Sequence, residues 1–522
     1  AANSSEDCGG SYIMLAYNYT CDGPPVTPAT TEDFYKGIFT RLMKRVPSLA
    51  WYWIWTPEGW EWSKVTSHDP VFTEALSDLA DAISAKKAVN ATWKMATNGW
   101  VVGPLPDRTI FDKSLPSADW DAITSIDMNT GHSPVDPSYA KITEHKKWVI
   151  PWMEDDPDLT APQLWVNRTL QHMEDAYKYG CSGLLGIHWR TRATGPQIQA
   201  MGQKSWNFNL TSQEFWVDWV ATQFGQGAGT PVNTVVADVF DSIDSFLMPL
   251  VVSWASGPGQ IIPKCMDMTA FNFVDTLQSV SANISGATNS DRFNYWLSSF
   301  NYMKSIATTA CAAKEYNDIA ATIAKTTDPT TQKQLAQSEG LPARVRVIAN
   351  ATTMMSNLQQ TISTPGELGT YMNIESHSLT HIIRDPEAQL QKWLGVTALP
   401  ANAVPPQTYD ASLEPRLIVP TARTVLEAHT PLDIRALLLS ADDCTADTTK
   451  VTLYWRNLGG TDYTDVPLIR AVEGRCVFET VNIAPFTDDF DWYVEAVVGS
   501  KSVYFPAGAP AAPVSVVILG PN

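Results

Sequence analysis

The chain has 522 residues, of which 44% are hydrophobic and 17% charged, so it can form two or three globular domains and is not intrinsically disordered. Its formal net charge of −19 argues against binding to nucleic acid or to an anionic membrane surface, because both reward a basic face. The sequence contains no apolar run that approaches the roughly 20 residues of a membrane-spanning helix.

Two features of the sequence indicate passage through the secretory pathway. The chain begins with "AANSSEDCGG" and without methionine, which we interpret as the processed end of a mature secreted or luminal protein. Sequons of the N-x-S/T form recur along the chain, which is typical of a glycoprotein. The seven sequon asparagines are Asn3, Asn18, Asn90, Asn167, Asn209, Asn283 and Asn350.

The seven cysteines fit an oxidising compartment better than a metal site. Closeness in sequence and helix pairing suggest three disulfides, with reduced buried thiols as the alternative for each. The three predicted pairs are Cys8–Cys21, Cys265–Cys311 and Cys444–Cys476. Cys181 is then the odd residue, and it precedes an apolar strand. Since the sequence has no CxxC motif and no Cys/His cluster, we expect neither a metal nor an organic cofactor.

In chain order, residues 1–206 alternate apolar strand-like runs with amphipathic stretches. The predicted strands cover residues 12–19, 49–58, 91–101, 122–129, 147–156 and 183–190, and the predicted helices between them include 31–46, 69–87 and 161–180. Nearly continuous apolar strands that alternate with helices predict a buried parallel sheet. Their spacing suits a TIM-like (β/α)8 barrel. Six strands are visible where such a barrel needs eight. Either the barrel lacks its first strands in this chain, and a second polypeptide fragment or another copy completes it, or the strand count is wrong.

The rest of the chain has a different pattern of predicted secondary structure. Residues 207–400 are predicted to form a helical accessory region, and residues 401–410, "ANAVPPQTYD", a linker. In residues 411–522 the apolar pattern changes to period two between turn signals. That pattern predicts an antiparallel β-sandwich of the immunoglobulin or fibronectin-III type.

Polar and aromatic side chains follow the predicted strands of residues 1–206. In a (β/α) barrel the active site lies at the carboxyl ends of the strands. The residues at these ends that we assign to a substrate site are Glu58, Trp60, Asn98, Trp100, Asp127, Asn129, His132, Glu154, Asp155, His188, Trp189, Arg190 and Arg192. Indoles stack on sugar faces, and amides and guanidinium groups bond hydroxyls or acidic substituents. The set therefore predicts a carbohydrate substrate.

Two carboxylates from different strands would supply the chemistry of glycosidic cleavage. Glu58 stands within "WYWIWTPEGWEW", and this aromatic surrounding is expected to raise its pKa, as a general acid requires. Glu154 is the predicted nucleophile, with Asp155 as the runner-up. A carboxylate separation of about 5–5.5 Å would imply retention of configuration, and about 6.5–9.5 Å inversion.

If residues 183–190 are the last strand, Glu58 ends strand 4 and Glu154 ends strand 7. In this arrangement residues 11–206 resemble the superfamily of retaining barrel glycosidases, which carries its acid/base and its nucleophile at those two positions. Trp189 matches the tryptophan that their eighth strand often places under the reacting sugar. The helical region and the motif "WASGPGQI" are similar to accessory helices of hexosaminidase- and α-glucuronidase-like enzymes. The resemblance implies a retaining glycoside hydrolase that degrades a polysaccharide or glycan.

Two other functions remain open at the level of sequence. One is an inverting, α-glucuronidase-like hydrolase in which Glu58 is the acid and Asp155 or Asp127 activates water. The other is a non-catalytic carbohydrate-binding or extracellular structural glycoprotein. In that case the basic run 188–192 would form a structural ion-pair cluster with the acidic run 154–156.

Overall fold

The computed structural model describes residues 30–56, 70–99, 102–104, 106–126, 135–154, 161–188, 190, 192–246, 260–406, 412–420, 422–442, 444, 449–471, 476–480, 483 and 485–520. The chain divides into two compact units. The first comprises Ala1–Asp155 with Leu164–Ser212, and the second comprises Asp156–Gln163 with Gln213–Asn522. The predicted strand 12–19 lies outside the described residues. The predicted domain boundaries at residues 206, 400 and 410 stay predictions.

The first unit contains a parallel sheet whose strands lie side by side in chain order, β1-β2-β3-β4-β5. The strands are β1 (Trp51–Ile54), β2 (Lys94–Thr97), β3 (Ala122–Ile126), β4 (Lys146–Ile150) and β5 (Gly183–Leu184). The helices are α1 (Thr31–Arg45), α2 (Pro70–Ala88), α3 (Ile110–Ser114), α4 (Val166–Lys178) and α5 (Gly195–Trp206), with a 3₁₀ turn at Pro137–Lys141. The prediction of a parallel sheet built from alternating strands and helices is confirmed.

Helices cover one face of this sheet. Tyr35 and Phe39 of α1, Leu79 of α2 and Phe111 of α3 belong to a single buried cluster, and Ala176 of α4 joins them. The strands contribute every second residue to this cluster: Tyr52, Ile54, Met95, Ile123, Val149 and Leu184. Since successive side chains of a strand point to opposite faces, the alternate residues must line the other face.

That other face is rich in tryptophan and is concave. Trp51 and Trp148 lie on β1 and β4, three inter-strand spacings apart, which is about 14 Å in a flat sheet. Their ring centroids are 4.4 Å apart in a T-shaped contact. Only a sheet that curves around this face brings the two rings together. Beside Trp148 stands Gly183, where a Cβ would lie 2.7 Å from Cδ1 of the indole, so a side chain larger than hydrogen cannot fit.

Several elements differ in extent from their predicted bounds, and three of them show the physical reason or the size of the difference. Strand β2 ends at Thr97 and not at residue 101, because Asn98 adopts a φ of 116°, which extended strand cannot continue. The ladder of β5 covers two residues, and the only further sheet contact among the described residues of 185–190 is a parallel bridge between Trp152 and Ile187. Helix α4 begins at Val166, five residues after the predicted start.

The helical part of the second unit confirms the helical prediction for this region. It contains α6 (Ser212–Phe224), α7 (Pro231–Ser242), α8 (Asn272–Val280), α9 (Ala287–Lys325), α10 (Pro329–Leu335), α11 (Leu341–Gln359), α12 (Pro365–Asn373) and α13 (Asp385–Leu394). Short 3₁₀ turns (Met268–Phe271, Ser281–Asn283, Ala401–Ala403) and π-turns (Ala336–Gly340, Ile374–Ser378, Thr380–Arg384) connect them. The fully buried Arg344 of α11 donates to the carbonyl oxygens of Ala403 and Ile382.

The carboxyl-terminal part of the second unit consists of two sheets around one core, as the period-two pattern predicts. The strands are β6 (Arg416–Ile418), β7 (Val425–Glu427), β8 (Arg435–Leu439), β9 (Lys450–Asn457), β10 (Thr464–Pro467), β11 (Ile469–Arg470), β12 (Val477–Glu479), β13 (Phe490–Val498), β14 (Lys501–Phe505) and β15 (Val514–Leu519). One sheet has the order β10-β9-β13-β15-β7 with β14 beside β13, and the other has the order β11-β12-β8-β6. The pairing is antiparallel except between β7 and β15.

Several smaller predictions have clear outcomes. The disulfides Cys265–Cys311 and Cys444–Cys476 are present, whereas Cys8–Cys21 lies outside the described residues. Of the sequon asparagines within the described ranges, Asn90, Asn167, Asn209 and Asn283 are exposed and Asn350 is partly buried. In the part of the chain that the structure describes, no helix is long and apolar enough to cross a membrane.

A buried carboxylate ties α3 to the segment that leads into β4. Asp112 accepts backbone N–H bonds from Thr143, Glu144 and His145 at 2.9, 3.2 and 3.2 Å, and it contacts Nδ1 of His145 at 2.9 Å. Burial by itself raises the pKa of Asp112, but the hydrogen bonds from these three residues outweigh it, and the pKa is lowered. The ionised carboxylate therefore stabilises the folded first unit.

We expect Asp112→Ala to lower the free energy of unfolding of the first unit by about 3 kcal/mol, because several buried donors lose their acceptor. A lowered folded-state pKa contributes stability above the unfolded pKa of about 3.9, and this contribution is lost as the pH falls through the folded pKa. The difference between wild type and variant should therefore shrink between about pH 5 and pH 2. Chemical denaturation over this pH range measures it.

Asp119→Ala is the matched control. Asp119 pairs with Lys87 at 2.6 Å, and the lysine side chain is largely exposed. A surface pair contributes about 0–1 kcal/mol, so this variant should remain close to wild type. Equal losses for the two variants would show that the Asp112 contacts do not stabilise the fold.

Candidate active site

The carboxyl ends of β1 to β5 meet at one edge of the parallel sheet, and the predicted site residues follow these ends. The described ones are Asn98, Glu154, His188, Arg190 and Arg192. The predicted site residues outside the described residues are Glu58, Trp60, Trp100, Asp127, Asn129, His132, Asp155 and Trp189. The geometry of the site is therefore built here from β1, β2, β4 and the segment after β5.

Asn98 locks the end of β2 to the end of β1. Its backbone carbonyl accepts the indole N–H of Trp53 at 2.9 Å, and its side-chain oxygen accepts the Thr56 hydroxyl at 3.3 Å. Its Nδ2 donates to the carbonyl of Val102, and this hydrogen bond ties Val102 to the end of β2. Asn98 is fully buried, so its carboxamide holds the strand ends together, and its contact with a substrate stays a prediction.

Aromatic side chains extend the concave face beyond the carboxyl ends of the strands. Trp53 and Trp55 lie 5.2 Å apart between ring centroids. Both pack against a small buried cluster formed by Ile126, Ile150 and Trp152. A wall of indole and branched aliphatic groups at this edge can receive the apolar face of a sugar ring.

Glu154 is a buried acidic residue at this edge of the parallel sheet. It stands two residues after Trp152 and is 0% exposed. Oε1 accepts the backbone N–H of Arg190 at 2.6 Å, and Oε2 accepts Nε of the same arginine at 2.8 Å. Both carboxylate oxygens therefore accept donors from Arg190, and the guanidinium compensates the charge of the carboxylate. The structure thus brings together two residues of the predicted site, Glu154 and Arg190.

Side chains at the start of α5 form hydrogen bonds with the backbone on both sides of the Glu154–Arg190 pair. Thr194 precedes the helix, and its hydroxyl donates to the carbonyl of Arg190 at 2.9 Å. The buried Gln197 donates its Nε2 to the carbonyl of Met153 at 3.2 Å. These contacts fix the backbone on each side of the ion pair, so Glu154 and Arg190 are held by elements of regular structure.

His188 and Arg192 flank Arg190 along the chain and are both partly buried. Among the residues that the structure describes, Nδ1 of His188 has no hydrogen-bond partner. The substrate-binding roles predicted for these two residues remain predictions.

Sequence reasoning overlooked the residues that line the concave face. Trp51 and Trp53 of β1 are followed at the same two-residue spacing by Trp55, and Trp148 and Ile150 of β4 by Trp152 and Glu154. This period-two pattern was the available signal, because it assigns each row to one face and joins Glu154 to the tryptophan row. Gln197 and Thr194 gave no comparable signal, since their role depends on where α5 lies.

Among the described residues, this edge of the sheet offers no set of metal-binding side chains. Within the described ranges, no group of three or more His, Cys, Asp or Glu side chains could hold a metal ion. What the described residues offer is a compensated carboxylate at the end of an aromatic wall.

Comparison with known proteins does not assign the chain to a family. No protein-family model matches it, and no curated protein matches it. Among solved structures, a family 89 glycoside hydrolase from Clostridium perfringens, determined in complex with PUGNAc, is similar over 63% of this chain and 42% of that chain. The sequence identity is 10% and the TM-score 0.38, so this likeness identifies neither a family nor an activity.

We expect Arg190→Met to destabilise the first unit by about 3–5 kcal/mol, because it leaves the buried Glu154 carboxylate without its cation. The double variant Glu154→Leu with Arg190→Met should recover most of this loss, since two apolar groups of similar size replace the pair. Denaturation followed by tryptophan fluorescence measures both effects.

Arg346→Met is the control for the loss of an arginine. Arg346 pairs with Glu315 at 3.6 Å, and both side chains are 51% exposed, so the expected loss is below about 1 kcal/mol. If Arg190→Met behaves like this control, the Glu154–Arg190 pair does not hold the strand ends together.

Proposed function

We propose that this protein is a secreted glycoside hydrolase that cleaves a polysaccharide or glycan at the carboxyl edge of its parallel sheet. The observation that carries the proposal is the position of Glu154. It is a fully buried carboxylate, paired with Arg190, that stands two residues after Trp152 of the aromatic cluster. A sugar needs an aromatic wall for its apolar face and a carboxylate for its reacting carbon.

The proposed mechanism retains the configuration of the sugar. Glu58 gives a proton to the leaving oxygen as the glycosidic C–O bond breaks, and Glu154 bonds to the anomeric carbon. Water then attacks this carbon, and Glu58 takes its proton, which releases the sugar and frees Glu154. Arg190 holds the Glu154 carboxylate in one orientation before the attack. With Asp155 or Asp127 as a base in place of the Glu154 nucleophile, the same edge would support the inverting alternative.

We further propose that the parallel sheet is part of a (β/α)8 barrel. Its support is the sequential strand order, the helices on one face and the close contact of Trp51 with Trp148 across the other. The further strands would come from residues outside the described ranges, such as 12–19, or from another polypeptide.

Secretion is supported by two features of the chain. Disulfides such as Cys265–Cys311 and Cys444–Cys476 persist in oxidising compartments and are rare in the cytosol. The sequon asparagines Asn90, Asn209 and Asn283 are exposed, as glycosylation requires.

A second candidate function is a non-catalytic carbohydrate-binding or structural glycoprotein. The observation that favours it is again at Glu154, whose two oxygens both accept donors from Arg190 while the side chain is 0% exposed. A carboxylate committed to an ion pair can hold the ends of β4 and β5 together without meeting a substrate. This candidate predicts that glycans bind to the aromatic wall without turnover.

Hydrolysis of a panel of natural glycans, including uronate-containing and sulfated ones, tests the proposal. We expect wild type to cleave at least one glycan, and Glu58→Gln and Glu154→Gln to lower kcat by about 10²-fold or more, since each removes a proton donor or a nucleophile. Product analysis by chromatography measures the rates, and NMR of the first product distinguishes retention from inversion.

Glu144→Gln is the matched control, because Glu144 is an exposed carboxylate that precedes the amino end of β4, whereas the proposed site lies at the carboxyl ends of the strands. It should keep the wild-type rate, and circular dichroism should show that all variants are folded. Binding of a glycan without cleavage would support the non-catalytic candidate. Full activity of the folded Glu154→Gln variant would remove Glu154 from the mechanism.

A further inference from the structure

An aromatic surface on the outside of the first unit lies far out in solvent. Tyr177, in the last turn of α4, is 74% exposed, and Phe208, after α5, is 46% exposed. Their ring centroids are 4.9 Å apart. Trp206, two residues before Phe208, is 94% exposed. Contiguous exposed apolar surface, unlike a single exposed side chain, marks an interaction site, so we consider what could cover the pair of rings formed by Tyr177 and Phe208, here called the aromatic shelf.

A sequon begins directly after the shelf. Asn209 follows Phe208 and belongs to the sequence Asn209-Leu210-Thr211. It is exposed in a tight turn in which Oδ1 of Asn207 accepts the N–H of Asn209 at 3.3 Å and the carbonyl of Asn207 accepts that of Leu210 at 3.0 Å. The turn holds Asn209 at the surface, directly after Phe208 in the chain.

The buried side chain of Lys204 bonds to the turn that contains Asn209 and also contacts the shelf. Lys204 is 3% exposed and donates to the carbonyl of Leu210 at 3.0 Å and to Glu174 at 2.9 Å. Its Nζ also lies 5.2 Å from the ring centroid of Phe208. Lys204, Phe208 and Asn209 line one groove of about 430 Å³, which is large enough for a sugar residue. The groove, the shelf and the sequon are therefore held as one surface.

We propose that Asn209 carries an N-linked glycan whose first sugars lie in this groove and stack on the Tyr177–Phe208 shelf. The inference rests on the proposed passage through the secretory pathway and is independent of the proposed hydrolase activity. The donor is a polyprenyl-pyrophosphate-linked oligosaccharide. Nδ2 of Asn209 bonds to the C1 carbon of its first sugar, the C1–O bond to the pyrophosphate breaks, and Nδ2 loses one proton. The polyprenyl pyrophosphate leaves with the bonding electrons.

The second sequon at the groove is a poorer source of this glycan. Asn167 lines the same groove, but it lies within helix α4. The hydroxyl of its sequon threonine, Thr169, is buried and bonds the carbonyl of Trp165 at 2.8 Å. The Asn209 sequon instead occupies a surface turn and adjoins the shelf in sequence.

Native deglycosylation of the full chain, secreted from a eukaryotic host, tests the proposal. Mass spectrometry should find Asn209 occupied, and an endoglycosidase should release its glycan about fivefold more slowly than the glycan on Asn283, as a contact of about 1 kcal/mol would require. Asn283 is the internal control, because it is exposed at the end of a short 3₁₀ turn in the second unit. In Tyr177→Ala the Asn209 glycan should be released as fast as the Asn283 glycan, while the Asn283 rate stays unchanged.

Tyr177→Ala leaves the sequon intact, and Phe208→Leu repeats the test if the first variant is not secreted. An unoccupied Asn209 beside an occupied Asn283 overturns the proposal, as do equal release rates in wild type. Binding of a soluble oligosaccharide to the fully glycosylated wild type that is lost in Tyr177→Ala also overturns it, because the shelf would then serve a free ligand.

Discussion

A parallel sheet has to be buried on both faces, and the first unit meets this constraint in two different ways. Helices α1 to α4 cover one face through a single apolar cluster. The other face is filled by its own large side chains, because the sheet curves until Trp51 and Trp148 touch. Gly183 follows from the same packing, since any side chain at this position would collide with Trp148.

Burial explains why the described polar groups at the strand ends have hydrogen-bond partners. Asn98 and Glu154 are both 0% exposed, so each needs partners from the chain. Asn98 finds partners in Thr56, Trp53 and Val102. Each oxygen of Glu154 accepts a donor from Arg190. The same burial that makes these groups structural would strengthen their electrostatic effect on a substrate held beside them.

Aromatic side chains occur in two settings in the first unit, and the difference between them is physical. Trp53, Trp55 and Trp152 are supported by neighbours on the concave face, where they form a wall. Tyr177 and Phe208 are supported from one side only and face water on the outer surface. Both surfaces suit the apolar face of a sugar, the first as a proposed substrate and the second as a proposed glycan of the chain itself.

The amino-acid sequence by itself determined the local elements of this protein. Nearly continuous apolar runs predicted strands β1 to β5, the period-two pattern predicted the sandwich, and amphipathic stretches predicted α1, α2 and α4, because these patterns depend on neighbours within one segment. The same pattern also placed Glu154 at a strand end. Segments with weak local signals, such as β7, β10, β11 and β15, were missed because pairing with a partner strand defines them.

Only the tertiary structure decided which strand ends meet and what each side chain touches there. The contact of Trp51 with Trp148 depends on the curvature of the whole sheet, and no local pattern encodes it. The pairing of Glu154 with the backbone and side chain of Arg190 joins residues 36 positions apart, and it requires β4 and β5 to be neighbours in register. Tertiary packing likewise gave Asn98 its positive φ and buried it between the ends of β1 and β2, and the substrate contact predicted for it stays a prediction. A strand-end position therefore follows from periodicity, whereas exposure and partners follow from the packing of distant segments.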